Sequence, residues 1–173
     1  MTLANNFEEI LIAFNKHKVE YIIAGGYAVI FHGYGRTTGD LDLWVKPTTE
    51  NQTKIIKAFE KLEFPDELID YIKKIKDFSK PFAVKIGREP IQIDIFNAIT
   101  GVNYSEAEKN SIPFKFSTKL ESRFIHLHDL ITNKMLTGRS KDKADVDELH
   151  KINIHSKDKN ILSTLKKLFS RND

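Results

Sequence analysis

The chain has 173 residues, of which 40% are hydrophobic and 29% charged, with a formal net charge of +3; this is the size and balance of one globular domain that can bury its own core. It contains no cysteine, which excludes a disulfide framework and a thiolate metal site and fits a reducing cytoplasm. No apolar run approaches the roughly 20 residues that a bilayer span needs, and the lysines are scattered among acidic residues with no basic stripe, so no membrane partner is expected.

The N-terminal MTLANNFEEILIAF mixes acidic and amide residues into its apolar ones, as an amphipathic helix does and a signal peptide does not. Phe7, Ile10, Leu11 and Phe14 at helical spacing predict a first helix over 5–18, with Asn5 and Glu8 at the offset of a capping box. VEYIIA over 19–24 is short, apolar and β-branched and runs into Gly25-Gly26, the pattern of a buried strand ending in a tight turn. A short helix over 27–31 should follow.

DLDLWV over 40–45 alternates carboxylate with large apolar side chain, the period of a strand, and so places Asp40 and Asp42 on one face. Thr49 and Gln52 suggest a capping box for an amphipathic helix that runs up to Pro65, and a lysine-rich helix is expected over 66–78. Two strands, 82–86 and 91–96, joined through Gly87-Arg88-Glu89-Pro90, read as a hairpin whose second strand carries Asp94 among apolar neighbours. A short helix over 104–109, strands over 112–116 and 124–127, and helices over 128–137 and 142–151 complete the reading. Finally, 156–169 places Ile161, Leu162, Leu165, Leu168 and Phe169 on one helical face opposite lysines, a face suited to its own domain or to a twin subunit in a homodimer.

The expected fold class is α/β (α+β). A small mixed sheet is built from the strands near Val19, Asp40, Phe82 and Ile91, within a single domain over 1–173 whose part 128–173 is helical.

One constellation suits a triphosphate and a hard metal ion. Gly25 and Gly26 at a helix start let backbone N–H groups approach phosphate oxygens, and Arg36 could add a charged contact. Asp40 and Asp42 set two oxygen ligands side by side, and Asp94 from a neighbouring strand would complete a magnesium site, since a carboxylate in an otherwise apolar strand calls for a partner or a cation. Each piece also has a plain structural reading: Gly-Gly as a turn, Asp-x-Asp as a solvated strand end, and Lys134 with the run from Arg139 to Asp145 as surface ion pairs between two helices. His126 and His128 lack a convincing third zinc ligand, His32 reads as a loop-positioning residue, and Trp44 and Tyr21 read as core.

Taken together, GGYAVIFHGYGRTTGDLDLWV, IQIDIF and DLITNKMLTGRSKDKADVDEL resemble the motifs of the nucleotidyltransferase-fold, polymerase-beta-like superfamily, and in particular small bacterial members related to abortive-infection toxins. The resemblance covers about 20–150. It implies that Asp40, Asp42 and Asp94 bind one or two magnesium ions and carry catalysis. It also implies that Gly25, Gly26, Arg36 and Thr38 hold the nucleoside triphosphate, ATP among the candidates, and that Lys134, Arg139, Lys141 and Asp142 lie near the nucleotide or support the site, with Asp145 as a further member. The family more commonly opens with Gly-Ser, whose hydroxyl meets phosphate; here Gly26 stands second, so that contact falls to the backbone, Thr37 or Thr38.

Two functions follow from the resemblance. One is transfer of a nucleoside monophosphate to an acceptor hydroxyl on a tRNA, a protein or a small molecule. The other is a catalytically silent nucleotide-binding relative, for example one side of a toxin–antitoxin pair with an antitoxin partner.

Overall fold

A computed structural model describes residues 3–88 and 91–155, with side chains described over 7–88 and 91–152. The helix α1 spans Leu3–Lys16. It already contains Asn5, so the expected capping box does not open it, and it stops two residues short of Lys18, which has a positive φ of 56°. The strand β1 (Tyr21–Ile23) is buried throughout and leads into α2 (Gly25–Phe31), which begins two residues earlier than its apolar pattern suggests because the two glycines form its first turn.

The strand β2 is Asp40–Val45, as the alternation predicts. The helix α3 (Thr49–Lys61) is capped by Thr48, whose hydroxyl accepts from the Asn51 N–H, so the cap lies one residue before the Thr49 of the sequence pattern. The helix α4 is only Asp66–Lys73, shorter than the lysine-rich helix expected over 66–78, and Lys74 and Lys76 lie beyond its end. The strands β3 (Ala83–Arg88) and β4 (Ile91–Phe96) form the hairpin, with Gly87 and Arg88 inside β3.

Beyond it lie α5 (Tyr104–Asn110), β5 (Ile112–Lys115), β6 (Glu121–Phe124), α6 (Leu127–Thr137) and α7 (Ser140–His155). The strand expected over 124–127 lies instead at Glu121–Phe124, since His126 turns out of the sheet to cap α6, its side chain accepting from the His128 N–H. The amphipathic stretch 156–169 lies outside the described residues. Among the described residues no helix is long and apolar enough to cross a membrane.

All six strands form one mixed sheet in the order β3-β4-β2-β1-β6-β5, so β5 and β6 extend the four-stranded sheet expected from sequence. Two pairings are parallel, β2 with β4 and β1 with β6; the others are antiparallel. Leu41, Leu43, Ile93 and Ile95 alternate onto one face and join a continuous buried core with Phe7, Ile10 and Phe14 of α1 and Ile55 and Phe59 of α3. Phe14 stacks on Phe59 and meets Tyr21 edge-on. On the other face Trp44, fully buried, packs edge-on against Tyr104 of α5. The apolar alternation of β2 and β4 thus fixes one face as core and leaves their carboxylates on the opposite one.

Candidate active site

The site starts from strand register. In the parallel β2–β4 ladder Asp42 is the Cα partner of Asp94 and Asp40 is the partner of Gln92, while in the antiparallel β3–β4 ladder Lys85 is the partner of Asp94. Partners in a ladder share a face. One row therefore reads Lys85, Asp94, Asp42 across three strands, with Asp40 and Gln92 two residues away on the same face.

Asp42 sits at the centre and is mostly buried. The Gly26 N–H donates to its Oδ2 at 3.3 Å. Burial pushes its carboxyl up from the ordinary 3.8 to about 6; the Asp94 and Asp40 charges add to the rise, and the Gly26 hydrogen bond and the Lys134 charge oppose it.

Two glycines make this approach possible. Gly25 has φ +53°, and a Cβ there would lie 1.8 Å from Asp42 Oδ2, inside the carboxylate. At Gly26 a Cβ would lie 2.3 Å from Thr38 Oγ1 and 3.3 Å from Arg36 Nη2. The bare backbone of the Gly-Gly turn is thus bordered by a carboxylate, a hydroxyl and a guanidinium. Thr37 is exposed, with its carbonyl accepting from Arg36 Nη1 at 3.0 Å.

Behind this turn the loop before β2 is tied to α6 and α7 by buried ion pairs. Arg36 holds Asp145 through two nitrogens, Nε at 2.7 Å from Oδ1 and Nη2 at 3.1 Å from Oδ2. Lys134 Nζ lies 2.8 Å from both Asp142 Oδ1 and Asp145 Oδ2. Arg139 Nε donates to Asp142 Oδ2 at 2.6 Å and the Thr137 hydroxyl donates to the same oxygen at 3.1 Å. Burial raises the Asp142 carboxyl, but the hydrogen bonds and charges of Arg139 and Lys134 outweigh it and hold the group at about 2.

Lys134, Asp142 and Asp145 are buried and bind one another, and the Lys134 charge acts on Asp42. Arg139 differs, with a side chain that is 75% exposed and within electrostatic reach of Asp42. Lys141 is exposed in the first turn of α7, and among the described residues no ion pair joins it to this cluster.

His32 binds the Ile125 carbonyl through Nε2 at 2.8 Å, pinning the end of α2 to the segment after β6, and burial lowers its pKa. Lys85 and Gln92 received no role from sequence. Gln92 Nε2 donates to Asp94 Oδ1 at 2.5 Å and Lys85 Nζ lies 3.4 Å from Asp94 Oδ2. The hairpin register could have revealed both, since pairing 82–86 with 91–96 brings a lysine opposite the aspartate.

The three carboxylates carry hard oxygen, the donor type that magnesium takes and that a thiolate- or imidazole-loving ion does not. Among the described residues no three His, Asp or Glu side chains converge as a metal-ligand group. Asp94 is instead engaged by Gln92 and Lys85, whose ammonium stands where a cation would neutralise it.

The family described as "nucleotidyltransferase of unknown function" (DUF6036) matches residues 1–169. The chain belongs to this nucleotidyltransferase family. No curated protein matches it. The residues of the carboxylate row and of the Gly-Gly turn all lie within the span that the family covers.

Proposed function

We propose that the protein is a magnesium-dependent enzyme that transfers a nucleoside monophosphate from a nucleoside triphosphate to a hydroxyl of an acceptor, releasing pyrophosphate. The observation that carries this reading is the pairing of Asp42 with Asp94 on adjacent parallel strands, with Asp40 on the same face, directly beside a side-chain-free Gly-Gly turn. Membership of a nucleotidyltransferase family supports it.

Asp40, Asp42 and Asp94 are the residues that would hold magnesium, which accepts a few carboxylates and leaves positions for water and phosphate oxygens. When bound, the ion would neutralise charge on the triphosphate and make the acceptor hydroxyl more acidic. The remaining work falls to the chain itself. The Gly25-Gly26 backbone lets phosphate oxygens come close, with the Thr38 hydroxyl and the Arg36 guanidinium bordering that approach. Arg139, exposed and near Asp42, stabilises negative charge that develops as pyrophosphate departs. Asp94 would take the proton of the acceptor hydroxyl as its oxygen attacks the α-phosphorus and the bond to pyrophosphate breaks.

The silent-relative alternative rested on glycine in place of serine at position 26. Thr38 Oγ1 lies 2.3 Å from where a Gly26 Cβ would be, so a hydroxyl already fills the volume of a serine side chain. This favours the enzyme.

The deciding experiment incubates the purified protein with each α-labelled nucleoside triphosphate and magnesium against total tRNA, lysate protein and the protein itself, beside an Asp40→Ala/Asp42→Ala control. Label transferred by wild type and lost in the control is the expected result and names the acceptor class. Magnesium-dependent triphosphate binding with no transfer in any arm favours the silent relative or an antitoxin-like role, and absence of such binding overturns the site assignment.

A further inference from the structure

Asp94 is the carboxylate of the row that pairs with a cation on the same sheet, and both of its oxygens are already engaged by the chain, Oδ1 by Gln92 at 2.5 Å and Oδ2 by Lys85 at 3.4 Å. Lys85 lies on β3, an edge strand, with its side chain 70% exposed against 22% for Asp94. The other cations near the row have different attachments: Lys134 pairs with Asp142 and Asp145, Arg36 with Asp145, and Arg139 with Asp142. Lys85 therefore brings to the carboxylate face a positive charge that is not shared with the buried cluster.

We propose that Lys85 is a positioning residue of the metal site, a displaceable counter-cation whose ammonium holds Asp94 until a divalent ion replaces it. The proposal rests on the metal-site reading above. Three carboxylates on one face of the sheet repel one another, and a resident ammonium lowers that repulsion while keeping Asp94 ordered. The ammonium rides on a flexible four-carbon stem at the sheet edge, so swinging it into solvent loses only a weak exposed ion pair. A magnesium ligand sits at about 2.0–2.1 Å from the ion, so an ion that reaches Oδ2 meets the repulsion of an ammonium 3.4 Å from the same oxygen. Lys85 thus makes divalent binding an exchange of cations on Asp94. An edge lysine can also serve only to discourage strand pairing between molecules; in that role its charge would affect aggregation and leave metal affinity unchanged.

The test is binding of Mn²⁺ alone to the full chain, followed by the electron paramagnetic resonance of the free ion, for wild type, Lys85→Met, Lys85→Arg and Asp94→Asn. Lys85→Met should bind about two- to fivefold more tightly, the range that loss of a competing exposed ion pair allows, and the gain should shrink at high salt as screening weakens the competition. Lys85→Arg should bind like wild type, Asp94→Asn should lose binding, and the metal-free melting temperature of Lys85→Met should fall slightly below wild type, because the ammonium that competes with the ion also steadies the empty site. Binding by wild type that Asp94→Asn abolishes but Lys85→Met leaves equal or weaker overturns the role of Lys85 and leaves the metal site standing. No Mn²⁺ binding by wild type overturns both.

Discussion

Gly26 and Thr38 share one volume: a Cβ on Gly26 would lie 2.3 Å from the Thr38 hydroxyl oxygen and 2.9 Å from the Thr38 Cβ. Rotating the threonine side chain would move the first atom but not the second, so a larger residue at position 26 forces the backbones apart.

Gly26→Ser is therefore expected to destabilise the protein by about 1–3 kcal/mol, the usual cost of overpacking. Thr38→Gly in the same chain should recover much of that loss. Chemical denaturation of the two single variants and the double variant measures the coupling; strictly additive effects would show that the two residues do not share space.

Asp42 gives a pH dependence with a defined sign. Its carboxyl is raised in the folded state from 3.8 to about 6, so the folded protein binds this proton more tightly than the unfolded chain does. The folded state carries the full penalty above about 6 and loses it as pH falls toward 3.8. In the presence of a chelator, Asp42→Asn should be more stable than wild type at pH values above that window by up to about 3 kcal/mol, an upper bound from the displacement. The advantage should fade through the window and vanish below it. Melting curves across pH check this, and a constant difference would refute it.

The buried ion-pair cluster predicts a different response. Lys134→Met leaves Asp142 and Asp145 each with one arginine but without the shared ammonium, and should cost about 3 kcal/mol, near the lower end for breaking a buried pair. Arg139→Ala should cost less than about 1 kcal/mol, since that side chain is largely in water. Equal losses in urea titrations of the two variants would contradict the burial difference between them.

Asp142 provides the acid counterpart. Its carboxyl is held at about 2 in the folded state against an ordinary 3.8, so its contribution to stability is present above 3.8 and is lost as pH falls through about 2. Asp142→Asn should therefore be less stable than wild type at neutral pH, with the gap closing across that acid window in pH-resolved melts.

Much of this arrangement was legible in the chain. The alternation DLDLWV set β2 to the residue and put Asp40 and Asp42 on one face; IQIDIF set β4 in the same way. Boundaries failed where a side chain or a glycine acted against the apolar pattern: Thr48 took the cap expected from Thr49, the glycines entered α2, and His126 left the sheet to cap α6. The extension of the sheet by β5 and β6 was not legible, because short strands far along the chain carry no periodicity that names their neighbour.

By itself, then, the sequence determined which residues are carboxylate-bearing, which face of each strand they occupy and which backbone positions are bare, since these follow from local spacing with period two and from residue type. Only the tertiary structure decided that β2 and β4 lie side by side in the register that pairs Asp42 with Asp94, that Thr38 folds over Gly26, and that Lys134 is buried between two aspartates. The physical reason is that each of these relations joins residues from separate elements, and their meeting is set by core packing and strand register, which no local window of the chain contains.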